Sequence, residues 1–180
     1  DKEVYRGKGL AALSGYYDLY HESWNTNHEI LTEFAIKGIE LTPEVRLTGK
    51  LDKIELLSGS TAQSDVVVTD YKTGQVRSRN YIEGNTADSK GDMKRQLVFY
   101  NLLLDHYADG KYKMQSGVID FLEPTETGKY RREEFIITKE EIKNLEIEIK
   151  RVTSEILNLK FWDKKCDDPE CQWCQLRELQ

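Results

Sequence analysis

Two aspartates and one lysine lie near the ends of hydrophobic segments in the first half of the chain. Asp70 and Lys72 follow the apolar run at residues 66–68, and Asp52 lies in an earlier segment of alternating apolar and polar residues. Because residues i and i+2 of a strand point to the same face, Asp70 and Lys72 share a face, and Tyr71 offers only its backbone carbonyl there. A paired strand can bring Asp52 to the same patch.

This group of side chains suits metal-assisted hydrolysis of a phosphodiester. Two carboxylates and a carbonyl oxygen are the hard ligands that Mg²⁺ or Mn²⁺ prefers. A neighbouring ammonium can orient a water or stabilise a phosphoryl oxyanion. The alternative is an ordinary surface ion pair between Asp70 and Lys72. Against it, both charges lie at the mouth of a buried strand, where a charge costs free energy unless it is paired or used.

Hydrophobic spacing predicts the elements that position these residues. Helical spacing of three and four covers residues 10–24 and 93–107, and the alternation typical of strands covers residues 34–36 and 45–51, joined by a turn. Thr138 and Glu141 form a capping box ahead of a third helix. The remaining predicted segments are a loop at 58–64, a buried strand at 66–68, an irregular stretch at 74–91, and strands at 118–122 and 135–137.

The predicted order is α-β-β-β-α-β-β-α, which favours an α/β (α+β) mixed central sheet flanked by helices. The length of 180 residues fits one domain, residues 1–180, with a cysteine-containing C-terminal tail at 162–180. No segment approaches the roughly 20 apolar residues of a membrane span. The first residues lack the basic-then-apolar order of a signal peptide. We therefore expect a cytoplasmic protein without membrane contact.

Charge and cysteine content narrow the function classes further. The net charge of −6 argues against a protein that holds a polyanion through bulk positive potential. Residues 70–100 nevertheless carry six Lys or Arg against four Asp or Glu, which leaves room for local phosphate contacts. The three cysteines all fall within residues 166–174, so they indicate a local metal site in a reducing compartment rather than a disulfide framework.

Three spaced motifs carry a resemblance to a known family. They are G-K-L-D-K-I at residues 49–54, T-D-Y-K-T-G at 69–74 and Q-L-V-F-Y at 96–100. In this order they resemble the RecB-type nuclease domain of the PD-(D/E)XK superfamily, found in RecB and AddB proteins and at the C-terminus of UvrD/Rep-type helicases. The resemblance covers about residues 30–176 and departs at Lys53, where the family usually has arginine.

The resemblance implies a restriction-endonuclease-like fold and a role for each matching residue. Glu33 matches an acidic position that supports the metal site, although a surface glutamate is an equal alternative. Tyr100 has the equal alternative of a core-facing aromatic, because leucines share its helix. The implied roles are metal binding by Asp52, Asp70 and the Tyr71 carbonyl, catalysis by Asp52, Asp70 and Lys72, and DNA binding by Gln96 and Tyr100.

Two departures from the family pattern bear on activity. The family usually has a histidine in an upstream helix, in a G-x-x-x-H-like context that neither His21 nor His28 shares. We therefore expect the chain to be part of a longer helicase-nuclease. Many relatives also carry a [4Fe-4S] cluster on one upstream cysteine and a C-x2-C-x5-C trio. Here the spacing is C-x4-C-x2-C.

The cysteines at 166, 171 and 174 could hold a cluster or a zinc ion only with a fourth ligand. Free thiols fit the sequence equally well, so Cys166, Cys171 and Cys174 are not assigned as ligands at this stage. The favoured function is a Mg²⁺- or Mn²⁺-dependent DNA nuclease, an exonuclease acting in end processing, recombination or repair with helicase domains as partners. The alternatives are an inactive module that binds DNA or a helicase, and a zinc-binding interaction domain.

Overall fold

The computed structural model describes residues 2–59, 63–160, 162 and 164–178. The chain divides into two compact units, Asp1–Leu145 and Glu146–Gln180. The predicted organisation as a single domain stays a prediction. Part of the predicted loop at 58–64 lies outside the described residues. None of the helices in the described ranges has the length and apolar character needed to cross a membrane.

Five helices and five strands make up the described secondary structure, together with short 3₁₀ turns at His21–Ser23 and Tyr107–Asp109. In chain order they are α1 (Lys2–Tyr20), β1 (Ile30–Thr42), β2 (Val45–Gly59), β3 (Ser64–Lys72), α2 (Arg79–Glu83), α3 (Asp92–His106), β4 (Tyr112–Phe121), β5 (Arg131–Phe135), α4 (Lys139–Leu157) and α5 (Gln172–Glu178).

The strands form one sheet in the order β1-β2-β3-β4-β5. Neighbouring strands run antiparallel except β3 and β4, which are parallel and are joined through α3. Helix α3 packs on one face of the sheet, and α1 meets the other face through Tyr16, whose hydroxyl bonds to Asp120 of β4. The mixed sheet flanked by helices is confirmed.

The packing of α3 against β2 depends on Gly49, the first residue of the first motif. A Cβ at this position would fall inside van der Waals contact with Leu103 of α3 and would also approach Phe99. Leu103 is fully buried and therefore has no free space into which it can shift. The side chains of α3 therefore contact the backbone of β2 directly, and the candidate site residues lie near this contact.

The N-terminus of α4 has the predicted capping box. The Thr138 hydroxyl accepts from the Glu141 N–H at 3.2 Å, and the Glu141 carboxylate accepts from the Thr138 N–H at 2.9 Å. Two N–H groups at the helix start, those of Thr138 and Glu141, thus have side-chain acceptors. Lys94 of α3 lies 2.6 Å from the same Glu141 carboxylate and ties the start of α4 to α3.

Several boundaries differ from the prediction. Helix α1 begins at Lys2 and ends at Tyr20, whereas the predicted helix covers residues 10–24, and β2 extends to Gly59, into the predicted loop. Helix α2 forms within the stretch expected to be irregular, because Ser78 caps its start and Gly84 ends it at a φ of 82°. Its five residues are too few to show an apolar period in the sequence. Strand β4 begins at Tyr112, earlier than predicted. The prediction missed the first part of the strand because Gly117 interrupts the apolar pattern of the sequence. Strand β5 ends at Phe135, and the predicted strand residue Ile136 is 77% exposed.

Replacing Gly49 by alanine should destabilise the protein by about 1–3 kcal/mol, because the added methyl group overpacks the contact with Leu103. Urea unfolding followed by circular dichroism measures the change. Gly9→Ala is the matched control, since a Cβ at Gly9 of α1 has nothing within 4 Å and alanine favours a helix. Equal stability of the two variants would contradict the close approach of α3 to β2.

Candidate active site

The strand register brings Asp52 and Asp70 to directly opposed positions. Lys53 of β2 pairs with Thr69 of β3 in an antiparallel ladder. Asp52, which precedes Lys53, and Asp70, which follows Thr69, therefore face each other. Asp52 Oδ2 also accepts a hydrogen bond from the Tyr71 N–H at 2.9 Å. The two carboxylates therefore share one face of the sheet, the face on which α3 packs.

Four side chains form a closed ring of contacts: Asp70, Lys72, Gln96 and Tyr100. The Lys72 ammonium lies 2.7 Å from Asp70 Oδ2 and donates to Gln96 Oε1 at 2.6 Å. The Gln96 amide donates to the Tyr100 hydroxyl at 2.7 Å, and this hydroxyl donates to Asp70 Oδ1 at 3.0 Å. Gln96 and Tyr100 are four residues apart on α3 and so lie on one helical face. The ring fixes the Lys72 ammonium against the Asp70 carboxylate.

The electrostatics of the ring are dominated by burial. Asp70 is only 2% exposed, and this burial raises the pKa of its carboxyl, while the charge of Lys72 and the hydroxyl of Tyr100 act in the opposite direction. The nearby charge of Asp52 raises the pKa of Asp70 further. Burial and the Asp70 charge also raise the pKa of Tyr100, whose hydroxyl therefore remains a donor.

The donor set fits a hard divalent cation. Asp70 Oδ2 is buried and, although the Lys72 ammonium lies 2.7 Å away, the pair lacks regular hydrogen-bond geometry, so this oxygen keeps an unused acceptor position. Asp52 stands opposite with a carboxylate held in place by the Tyr71 N–H. Two like charges facing each other are stabilised when a cation lies between them. Asp52 and Asp70 are thus the residues that would hold Mg²⁺ or Mn²⁺.

Other predicted site residues lie outside this ring. The Glu33 carboxylate pairs with Lys50 and is 62% exposed, and its residue has a positive φ of 55° on β1. His28 Nδ1 lies 2.9 Å from Glu55 Oε1, and the His21 ring stacks on Tyr17. Tyr71 takes part in the site through its N–H, which the sequence did not predict. The metal role of its carbonyl stays a prediction.

The opposite face of the sheet holds a buried charge that sequence reasoning missed. Asp120 of β4 pairs with Tyr71 in the parallel ladder and is 1% exposed. Its Oδ2 accepts from the Tyr16 hydroxyl at 2.6 Å and lies 3.0 Å from Arg132 Nε. Burial raises the pKa of Asp120, and burial together with Asp120 raises the pKa of Tyr16. A single aspartate within the apolar run of residues 118–122 was the only signal.

A cavity of about 440 Å³ lies over this second face. Its lining includes the aromatic rings of Tyr16, Trp24 and Tyr71 beside the charged groups of Lys53 and Arg132. Lys53 is engaged by Glu55 at 2.9 Å, and Arg132 by Asp120. Lys53 of the first motif therefore points to the face opposite Asp52, because successive strand residues point to opposite faces.

The three cysteines come together in the second unit. Their sulfur atoms all lie within 4.8 Å of one another, and the sulfurs of Cys166 and Cys174 are 3.4 Å apart. All three are free thiols. Cys171 thus lies beside the other two, and the binding of a metal by the three cysteines stays a prediction.

Comparison with known proteins matches this geometry to a family. A family model described as "PD-(D/E)XK nuclease superfamily" matches residues 2–179, nearly the whole chain. The chain belongs to the PD-(D/E)XK nuclease superfamily. Members of this superfamily are typically nucleases that use divalent metals.

A comparison with solved structures also finds a match. A structure titled "Crystal structure of SSO0001" has a TM-score of 0.44 and 15% sequence identity, and the match covers 96% of this chain. The chain spans 66% of the length of that structure. The search of curated proteins finds no match.

The raised pKa of Asp70 predicts a stability effect that depends on pH. A carboxyl whose pKa is higher in the folded than in the unfolded chain favours folding below its unfolded pKa, and this contribution is lost as the pH rises through the folded pKa. Asp70→Asn removes the buried charge and should therefore raise the melting temperature at pH 7 without divalent ions. Mn²⁺ should raise the melting temperature of the unmodified protein and not that of this variant.

Thermal unfolding across pH 4–8, with and without Mn²⁺, measures both effects. Asp65→Asn is the matched control, because Asp65 is the second residue of β3 and its partner Gln115 is exposed. An Mn²⁺ effect that survives in Asp70→Asn would place the metal site elsewhere.

Proposed function

We propose that this chain is a Mg²⁺- or Mn²⁺-dependent DNA nuclease domain that works as an exonuclease. The observation that carries the proposal is the closed ring around Asp70, in which one ammonium and one buried carboxylate lie directly opposite a second carboxylate. Water attack on a phosphodiester needs these elements together: a place for a hard cation, and a positive group near the developing charge.

The residues of the ring have separate tasks in this reaction. Asp52 and Asp70 hold the divalent ion, which when bound supplies Lewis-acid polarisation of a phosphoryl oxygen. Lys72 presents its ammonium at a fixed point, because Asp70 and Gln96 restrain it on two sides. From there it orients the attacking water and stabilises negative charge on the phosphate. Gln96 holds the DNA strand beside these groups and keeps Lys72 in place. Tyr100 is only 4% exposed, as the core-facing alternative for this residue predicts, and its hydroxyl holds Gln96 against Asp70.

The cellular setting that we propose is a cytoplasmic helicase-nuclease that processes DNA ends in recombination or repair. The support is the likeness of the three motifs to RecB-type domains attached to helicases. A helicase supplies unwound strand ends, which is the form of substrate that an exonuclease consumes. Free thiols at all three cysteines are consistent with a reducing compartment.

One observation favours a second candidate, a nuclease-like module that binds DNA or a helicase without cutting. Neither His21 nor His28 contacts the ring, since their described partners are Tyr17 for the first and Asn25 and Glu55 for the second. Cleavage assays on labelled single- and double-stranded oligonucleotides with Mg²⁺ or Mn²⁺ separate the two functions. Binding without cleavage of either substrate would establish the binding module.

Lys72→Ala should reduce cleavage by about 100-fold or more while DNA affinity, measured in Ca²⁺, changes little. One ammonium supplies only a fraction of the phosphate contacts that hold a strand, yet it acts where charge develops in the transition state. Lys37→Ala, at an exposed lysine of β1, is the matched control and should cut normally.

Loss of Lys72 also leaves Asp70 without its ion pair, so a folding defect must be separated from a catalytic one. Lys72→Arg keeps the positive charge beside Asp70 and should fold normally, but its wider planar head cannot reproduce the ammonium position, so cleavage should still fall. If Lys72→Arg and Lys72→Ala both fold and both cleave DNA at the normal rate, the assigned role of Lys72 is refuted.

Gln96→Ala should weaken DNA binding and slow cleavage, each by about 10-fold, because Gln96 both positions Lys72 and contacts the strand. Tyr100→Phe removes only the hydroxyl that joins Gln96 to Asp70 and should lower kcat with little effect on KM. Single-turnover rates and fluorescence anisotropy give the two quantities. A Gln96→Ala variant that loses kcat alone would restrict Gln96 to positioning Lys72.

A further inference from the structure

The C-terminal cysteines occupy a segment that has no hydrophobic core of its own. Within residues 164–176 every described side chain is exposed except Cys171 and Cys174, which are partly covered. Trp173 is 81% exposed and Leu176 is 57% exposed. Helix α5 has seven residues, a length that is not stable alone in water. The sulfur cluster is therefore the centre about which this segment is organised.

Backbone hydrogen bonds hold the segment in a conformation that gathers the sulfurs. Asp168 begins a tight turn, since its carboxylate accepts from the Glu170 N–H at 2.9 Å and its carbonyl accepts from the Cys171 N–H at 3.2 Å. The Cys166 N–H donates to the Cys174 sulfur at 3.5 Å. Donors aimed at sulfur stabilise a thiolate, the form of cysteine that binds metals.

The spacing of the sulfurs distinguishes a single metal ion from a cluster. Zinc binds thiolates at about 2.3 Å in a tetrahedron, which places sulfur atoms about 3.8 Å apart. The Cys166 and Cys174 sulfurs are 3.4 Å apart, and all three lie within 4.8 Å. In a four-iron cluster each thiolate binds a different iron, so the cluster core separates the sulfurs more widely. The iron-sulfur cluster that the family resemblance implies does not fit this arrangement.

We propose that Cys166, Cys171 and Cys174 bind one zinc ion, and that they do not hold an iron-sulfur cluster. Three thiolates occupy three corners of the tetrahedron. Among the described residues no histidine or carboxylate joins the group of mutually close ligand atoms, so the fourth corner of the tetrahedron belongs to a lighter donor atom from outside this group. The zinc ion supplies the folding free energy that the exposed side chains of this segment cannot supply.

Metal analysis of the full 180-residue chain tests the proposal without any variant. Protein made in medium that contains both iron and zinc, and purified without oxygen, should contain stoichiometric zinc and neither iron nor acid-labile sulfide. X-ray absorption at the zinc edge should show three sulfur neighbours at about 2.3 Å and one lighter atom. Replacement by Co²⁺ should give the intense visible bands of a tetrahedral thiolate site. Zinc should dissociate as the pH falls, because protons compete for the thiolates.

Single substitutions identify the ligands. Cys166→Ser, Cys171→Ser and Cys174→Ser should each lower zinc affinity roughly 100-fold or more in competition with a chromogenic chelator. Trp173→Phe is the matched control and should retain zinc, because Trp173 lies between two of the ligands and its side chain is 81% exposed.

Three results would overturn the proposal. Stoichiometric iron and sulfide with broad visible absorbance would establish a cluster. A disulfide between Cys166 and Cys174, detected by mass spectrometry of the anaerobically purified chain, would show that these sulfurs serve as a redox pair. Three thiols that react freely with a thiol reagent after zinc is added would show that the segment binds no metal. None of these results depends on nuclease activity, so the proposal can fail while the proposed function stands.

Discussion

The buried carboxylate of Asp70 is the constraint on which the rest of the site depends. A charge that is 2% exposed costs free energy unless partners compensate it, and in this protein the partners come from two elements. Lys72 reaches it along the same strand, and Tyr100 reaches it from α3. Because Gln96 bridges these two partners, α3 must pack at one height and one rotation against the sheet. The glycine at position 49 permits that approach, so a motif residue without a side chain is as necessary as the charged ones.

The same strands serve two chemically different faces. Asp70 and Lys72 of β3 face α3, whereas Tyr71 between them lines the cavity that also contains Asp120. Both faces bury an aspartate and hold it with a tyrosine hydroxyl and a cation, Lys72 on one side and Arg132 on the other. Both aspartates also keep one buried oxygen without a regular hydrogen-bond partner, Oδ2 of Asp70 and Oδ1 of Asp120. The second carboxylate, Asp52 opposite Asp70, is therefore the feature that distinguishes a metal-binding arrangement from a buried ion pair.

Several features of fold and site could be predicted from the sequence because they depend on local periodicity. The alternation before Asp52 and the apolar run before Asp70 predicted neighbouring strands, and the spacing of Thr138 and Glu141 predicted the start of α4. The short helix α2 and the early start of β4 could not be predicted, since a five-residue helix has no apolar repeat and Gly117 interrupts a strand pattern. The sequence suggested Gln96 and Tyr100 only through a resemblance, and their contacts with Lys72 and Asp70 came from packing.

The sequence alone determined the chemical types and the faces on which they stand: two carboxylates and an ammonium on adjoining strands, and three thiols close together in the chain. These follow from residue identity and from the two-residue period of a strand. Only the tertiary structure decided that α3 closes a ring around Asp70, that Glu33 turns to Lys50, that Asp120 is buried on the second face, and that three sulfurs meet within 4.8 Å. The physical reason is that these contacts join residues distant in sequence or depend on how a turn folds back, and no local period encodes the height and rotation of one element against another.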